Sequence, residues 1–126
     1  MANGATGILN NALASFVEEG DEVIVFEPVF EFYFSQAEIY GGKVKYFSLN
    51  EPTAESDSWT IDFEKLESYF TEKTRIIMLN TPHNPTGKIL KREDLERIYK
   101  ILEKFPRVIV LADEVFLSYE FGVFLR

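Results

Sequence analysis

The chain has 126 residues, 46% of them apolar, which is enough for one ordinary domain with its own core and too much for a disordered chain. A formal net charge of −8 argues against nucleic acid or an anionic membrane as partner, and without cysteine there is neither a disulfide framework nor a thiolate metal site. No apolar run approaches the ~20 residues of a membrane-spanning helix, and the first residues lack the basic and apolar regions of a signal peptide, so the cytoplasm is the expected compartment.

Residues 1–6 read as a turn of small residues and 7–19 as a helix. Ile8, Leu9, Ala12, Leu13, Phe16 and Val17 recur at helical spacing, and Glu18-Glu19-Gly20-Asp21 ends the pattern. The unbroken apolar run 23–26 is that of a parallel strand covered on both faces, stopped by Glu27-Pro28. Phe30, Tyr33, Phe34, Ala37 and Tyr40 mark a second helix closed by Gly41-Gly42, and residues 44–49 a second strand. Residues 50–58 are polar and predict an exposed loop; Asp62 then predicts the N-cap of a short helix carrying Phe63, Leu66 and Phe70. A third strand over 75–79 follows. The helix over 91–104 is expected to bury Leu95, Ile98, Tyr99 and Leu102, and residues 107–111 form a fourth strand. Helices alternating with near-continuous apolar strands predict an α/β fold, a parallel sheet with flanking helices and right-handed crossovers. Residues 108–111 are expected to form an edge of that sheet.

The segment Asn80-Thr81-Pro82-His83-Asn84-Pro85-Thr86-Gly87-Lys88 joins the third strand to the last helix. Pro82 and Pro85 fix their own φ and favour extended Thr81 and Asn84, while Gly87 permits a positive φ. By composition alone these are ordinary turn residues. Their place gives a second reading: a stiff loop at the carboxyl end of a parallel strand, where open α/β sheets bind ligands, holding the Asn84 amide in one direction. Gly4-Ala5-Thr6-Gly7 at a helix start offers N–H groups and the positive end of the helix dipole to a phosphate, although small residues precede many helices. Phe30 lies past a strand's carboxyl end and reads equally as a core phenylalanine. Asp113 ends an apolar strand, where an unpaired carboxylate is costly; it reads as a ligand group or as a loop carboxylate or helix N-cap. His83, the only histidine, shows no metal or triad pattern and reads as loop.

Asn-x-Pro-x-Asn-Pro-x-Gly at 80–87, followed after the next strand by Ala112-Asp113-Glu114-Val115, resembles the class I/II aminotransferases. These are pyridoxal 5'-phosphate (PLP) enzymes of fold type I, and the kynurenine, glutamine and methionine aminotransferase branch is the nearest in pattern. The resemblance runs from Asn3 to about Tyr119. It implies that residues 1–126 are part of the PLP-dependent transferase large domain, working as a homodimer that transfers an amino group between an amino acid and a 2-oxo acid. It implies that Ala5 and Thr6 bind the cofactor phosphate, that Phe30 stacks on the pyridine ring, and that Asn84 bonds the phenolic oxygen. Asp113 would pair with the pyridinium nitrogen, Glu114 would be structural, and Asn84-Pro85 would be a cis peptide.

The departures are specific. Where the family has a tyrosine three residues after the aspartate, this chain has Phe116, which cannot donate a hydrogen bond; Tyr119 follows three residues later. The N-terminal segment, the Schiff-base lysine region and the C-terminal small domain with its substrate-binding arginine have no counterpart in residues 1–126. Lys88, Lys91, Lys100 and Lys104 fall in other elements, so no catalytic residue is assigned to this chain. Residues 121–126 leave the family pattern. The sequence thus carries two functional expectations: an aminotransferase present as an incomplete chain, or a non-catalytic remnant that binds a phosphate ligand or a protein.

Overall fold

The computed structural model describes residues 2–54 and 56–115. Its elements are α1 (Gly4–Phe16), β1 (Glu22–Glu27), α2 (Glu31–Ile39), β2 (Lys43–Ser48), α3 (Phe63–Tyr69), β3 (Thr74–Asn80), α4 (Arg92–Leu102) and β4 (Ile109–Asp113). The strands form one parallel sheet in the order β2-β1-β3-β4.

The continuous apolar runs divide residue by residue between the two faces, because successive side chains of a strand point to opposite sides. Ile24 and Phe26 of β1 and Ile77 and Leu79 of β3 face α3 and α4, where they join Phe47, Leu66, Ile98 and Ile101. Val23, Val25, Ile76 and Met78 face the other way, onto Leu9, Leu13 and Val17 of the α1 segment and Tyr33 and Ala37 of α2. Along β1 and β3 both faces are dry, which is why these central strands need no polar alternation, whereas the outer strands β2 and β4 keep exposed positions. From β1 the chain first adds β2 on one side, then crosses to place β3 on the other. The reversal opens a crevice at the carboxyl ends of β1 and β3, the topological switch point at which such sheets take ligands.

Several expected boundaries shift. The first helix starts at Gly4, after an extended Asn3, and stops at Phe16. It ends three residues early because the Asp21 side chain accepts the Glu18 N–H at 3.0 Å and the Gly20 N–H bonds the Gly41 carbonyl, turning the chain there. The small residues 4–6, expected as a turn, therefore form the first turn of α1, and Ile8 and Phe16 lie exposed. In α4 the buried face is Ile98 and Ile101, whereas Leu95 and Tyr99 point outward, Tyr99 at 63% exposure. The helix meets the sheet about one residue out of the expected phase, leaving the Leu95/Tyr99 row on its outer flank. β4 begins and ends two residues later than expected, since turn bonds from Phe105 to Leu102 and from Val108 to Phe105 occupy the stretch around Pro106 and Arg107. Asp113 is consequently the last residue of the strand, paired in register with Asn80. Among the described residues β4 lies at the sheet edge, as expected. Asp62 caps α3 through its carboxylate and the Lys65 N–H at 3.0 Å, also as expected. Phe116, Tyr119 and residues 121–126 lie outside the described residues.

Candidate functional site

The loop after β3 is stiff because its polar groups are consumed locally. The His83 N–H donates to the Lys88 carbonyl at 2.8 Å, and the Gly87 N–H to the His83 carbonyl at 2.7 Å. Gly87 takes φ +71°, a value a side chain would resist. Asp94, in the first turn of α4, accepts from the Lys91 N–H at 3.1 Å and from Lys88 Nζ at 3.3 Å, so the far end of the loop is tied to the helix. The Asn84-Pro85 bond is cis, as the resemblance implies, and so are Glu27-Pro28 and Thr81-Pro82.

His83, read from the sequence as loop, is buried and serves as the loop's inner peg. Its Nδ1 lies 2.8 Å from Thr86 Oγ1, and its ring also bonds the backbone of Phe26, at the end of β1. Burial holds the imidazole pKa below its ordinary value; the Phe26 bond opposes this, and the Lys88 charge adds to it. Below about pH 6.5 the unfolded chain takes up a proton that the folded chain refuses, so stability falls as pH drops from there toward the folded pKa. We expect the urea midpoint of the chain to fall between pH 7.5 and 5.5, and His83→Gln to flatten that dependence while costing about 1–3 kcal/mol at pH 7.5. A parallel pH dependence in His83→Gln would show that other groups carry it.

At the switch-point crevice the residues singled out by the sequence come together. Ala5 and Thr6 of α1, Phe30 at the start of α2, Asn84 of the loop and Asp113 of β4 line one cavity of about 310 Å³, with Leu9, Phe32, Tyr33 and Val115. That volume is at the small end of the ~300–1,000 Å³ usual for small-molecule sites. Each side chain arrives by a separate route: Phe30 is the residue before α2, the cis-proline loop presents Asn84, and Asp113 ends its strand. Phe30 stays 44% exposed, its ring edge-on to Tyr33 at 5.8 Å, as suits a wall rather than a core residue. The Asn84 side-chain amide has no hydrogen-bond partner among the described residues. At the N-terminus of α1 the Asn3 side chain makes no capping bond, and Ala5 and Thr6 of its first turn line the cavity, where the helix dipole favours an anion.

Two contributors escaped the sequence reading. Tyr33, taken there as a core residue of α2, is buried and donates its hydroxyl to Asp113 Oδ2 at 2.5 Å, while the Val115 N–H donates to Oδ1 at 3.1 Å. Burial, that hydrogen bond and the Asp113 charge together push the Tyr33 pKa far up, so the phenol stays a donor. Its spacing was the available signal: Tyr33 follows Phe30 by three residues, one turn of helix, and so shares its face. Asn80, the residue that opens the motif, is the second.

None of the lysines lines this cavity: Lys88 is paired with Asp94 and Lys104 with Glu67. No group of His, Cys, Asp or Glu able to hold a metal ion is present among the described residues, and no helix there is long and apolar enough to cross a membrane.

The chain matches the family Aminotransferase class I and II over residues 1–125, so the match includes residues 121–125, which were expected from the sequence to leave the family pattern. It is 40% identical to the probable kynurenine–oxoglutarate transaminase of Saccharomyces cerevisiae, over 92% of this chain and 27% of that one. Its fold superposes on YbdL of Escherichia coli, for which a methionine aminotransferase function is identified, with a TM-score of 0.83 at 32% identity over 90% of this chain and 28% of that one. Cystalysin of Treponema denticola, whose structure contains pyridoxal 5'-phosphate, superposes with a TM-score of 0.81 at 29% identity, again covering 90% and 28%. The chain thus spans little more than a quarter of the length of these relatives.

Proposed function

Since the chain belongs to the aminotransferase class I and II family, we propose that it forms the cofactor-holding part of an enzyme that transfers an amino group between an amino acid and a 2-oxo acid, with PLP as cofactor. The observation that carries this reading is the meeting of a helix N-terminus uncapped by Asn3, a half-exposed aromatic ring, an amide unpartnered among the described residues and an oriented carboxylate in one small cavity. That donor set fits the group, part for part. The N–H groups of Ala5 and Thr6 and the Thr6 hydroxyl would hold the phosphate. Phe30 would cover one face of the ring, the Asn84 amide would bond the phenolic oxygen, and Asp113 would accept from the pyridinium N–H. When bound, PLP supplies a cationic ring that accepts the electron pair left at the substrate Cα.

The chain's own residues serve that chemistry by orientation and charge. Tyr33 aims and polarises the Asp113 carboxylate through Oδ2, leaving it a ready acceptor toward the cavity. Leu9, Phe30 and Phe32 give the cavity an apolar wall, which would strengthen the ion pair that Asp113 would make. Kynurenine and 2-oxoglutarate, suggested by the yeast relative's name, are the first substrates to assay. A homodimer in the cytoplasm is the corresponding assembly and compartment.

Titration of the purified chain with PLP, followed by its absorbance, tests the cofactor reading. We expect saturable binding, with pyridoxal lacking the phosphate bound at least about tenfold more weakly, the worth of one good anion contact at a helix N-terminus. Equal binding of pyridoxal would remove Ala5 and Thr6 from the site; no saturable binding of PLP would remove the cofactor. One observation favours a second reading, binding of a phosphate-bearing ligand without turnover: no lysine faces the cavity. Saturable PLP binding with no amino transfer from kynurenine to 2-oxoglutarate would favour that reading.

A further inference from the structure

Asn80 ends β3 and is only 4% exposed, although its side chain is a primary amide. Both ends of that amide are engaged. Nδ2 donates to the Asp113 carbonyl at 3.0 Å, and Oδ1 accepts the Asn84 backbone N–H at 2.7 Å. The orientation is unambiguous, because a backbone N–H only donates and a carbonyl only accepts. The Asp113 carbonyl receives the Thr81 N–H as well, at 3.1 Å, so the ends of β3 and β4 are locked at the residue bearing the candidate carboxylate.

The sheet itself does not require these bonds. Register pairing of Asn80 with Asp113 is a backbone matter that any residue would satisfy. What the side chain adds is a link from the strand ends to the loop, between the two residues whose side chains face the cavity. We infer that Asn80 is a positioning residue that couples Asn84 to Asp113 and sets the distance between the amide that would bond the phenolic oxygen and the carboxylate that would accept from the pyridinium N–H. The inference rests on the reading of this cavity as a PLP site. Side-chain chemistry leaves few substitutes. Leucine would strand the Asn84 N–H without an acceptor, serine is too short to reach both partners, and aspartate would set an acceptor against the Asp113 carbonyl.

A double-mutant cycle on PLP affinity, with amide exchange as a ligand-free readout, tests the coupling. Asn80→Ala is expected to weaken PLP binding about tenfold or more and to speed exchange of the Asn84 N–H by a similar factor, as loss of a buried bond implies. If Asn80 acts through Asn84, its effect shrinks in an Asn84→Ala background, and the product of the single effects overstates the double variant by about threefold or more. Asn80→Asp keeps the Asn84 acceptor and loses the donor to Asp113. It should preserve protection at Asn84 while PLP affinity still falls, and it serves as the folded comparison if the alanine variant is unstable. Multiplying effects, or a lower melting temperature with unchanged PLP affinity, would overturn the inference and leave the cofactor reading standing. If neither Asn84→Ala nor Asp113→Ala weakens PLP binding, the cofactor reading falls and this inference falls with it.

Discussion

Asp113→Ala is expected to lose about 2–5 kcal/mol of PLP binding free energy, the cost of truncating one partner of a hydrogen-bonded charge pair in a sheltered site. The carboxylate has two duties here. Toward the protein it accepts from the Tyr33 hydroxyl and the Val115 N–H. Toward the ligand it is the only carboxylate on the cavity wall among the described residues, where a pyridinium N–H would find its acceptor. Alanine removes both functions and leaves the Tyr33 hydroxyl without its acceptor. Asp113→Asn keeps an oxygen for Tyr33 but loses the charge, so it should recover the folded stability without recovering the affinity. Absorbance titrations with PLP and thermal melts of the unliganded chains separate the two. Wild-type PLP affinity in both variants would move the ligand elsewhere; wild-type affinity in Asp113→Asn alone would show that hydrogen bonding, not charge, is what Asp113 provides.

Leu13→Ala carries the largest expected effect on stability, about 2–5 kcal/mol, because deletion of a buried leucine leaves a cavity that a packed sheet face fills only in part. Leu13 is 1% exposed and belongs to the core that seats α1 on Val23, Val25, Ile76 and Met78. Against a typical total of about 5–15 kcal/mol, that loss decides whether the chain is folded at 37 °C. Ile8, on the same helix and similar in chemistry, is 62% exposed, and Ile8→Ala should stay within about 0.5 kcal/mol of wild type. Urea unfolding of the two variants checks the phase of α1. Equal losses would mean that the helix seats on the sheet in a different rotation. The site depends on that rotation, because the first turn of α1 carries Ala5 and Thr6 to the cavity wall.

The sequence by itself determined the element order and the parallel sheet, and drew notice to five of the residues that line the cavity. Those features have short-range causes: unbroken apolar runs of strand length, prolines and a glycine at set places in residues 80–88, and carboxyl ends of parallel strands that must share one edge. Position drew notice to Ala5, Thr6, Phe30, Asn84 and Asp113, at a helix start, past a strand or at its end, but their assignment to one site came from the resemblance to the aminotransferase family. Tertiary structure decided what depends on one element meeting another. The rotation of α4 that exposes Leu95 and Tyr99 was set by the sheet face it packs on, since Leu95, Ile98, Tyr99 and Ile101 are all apolar and periodicity alone fits more than one phase. The Tyr33 bond to Asp113 spans 80 residues, the Asn80 bond to Asp113 spans 33, and the His83 contact reaches back to Phe26. Pairings at such separations leave no local periodicity to read, because they exist only once β1, β3 and β4 lie side by side and bring their carboxyl ends within hydrogen-bond reach.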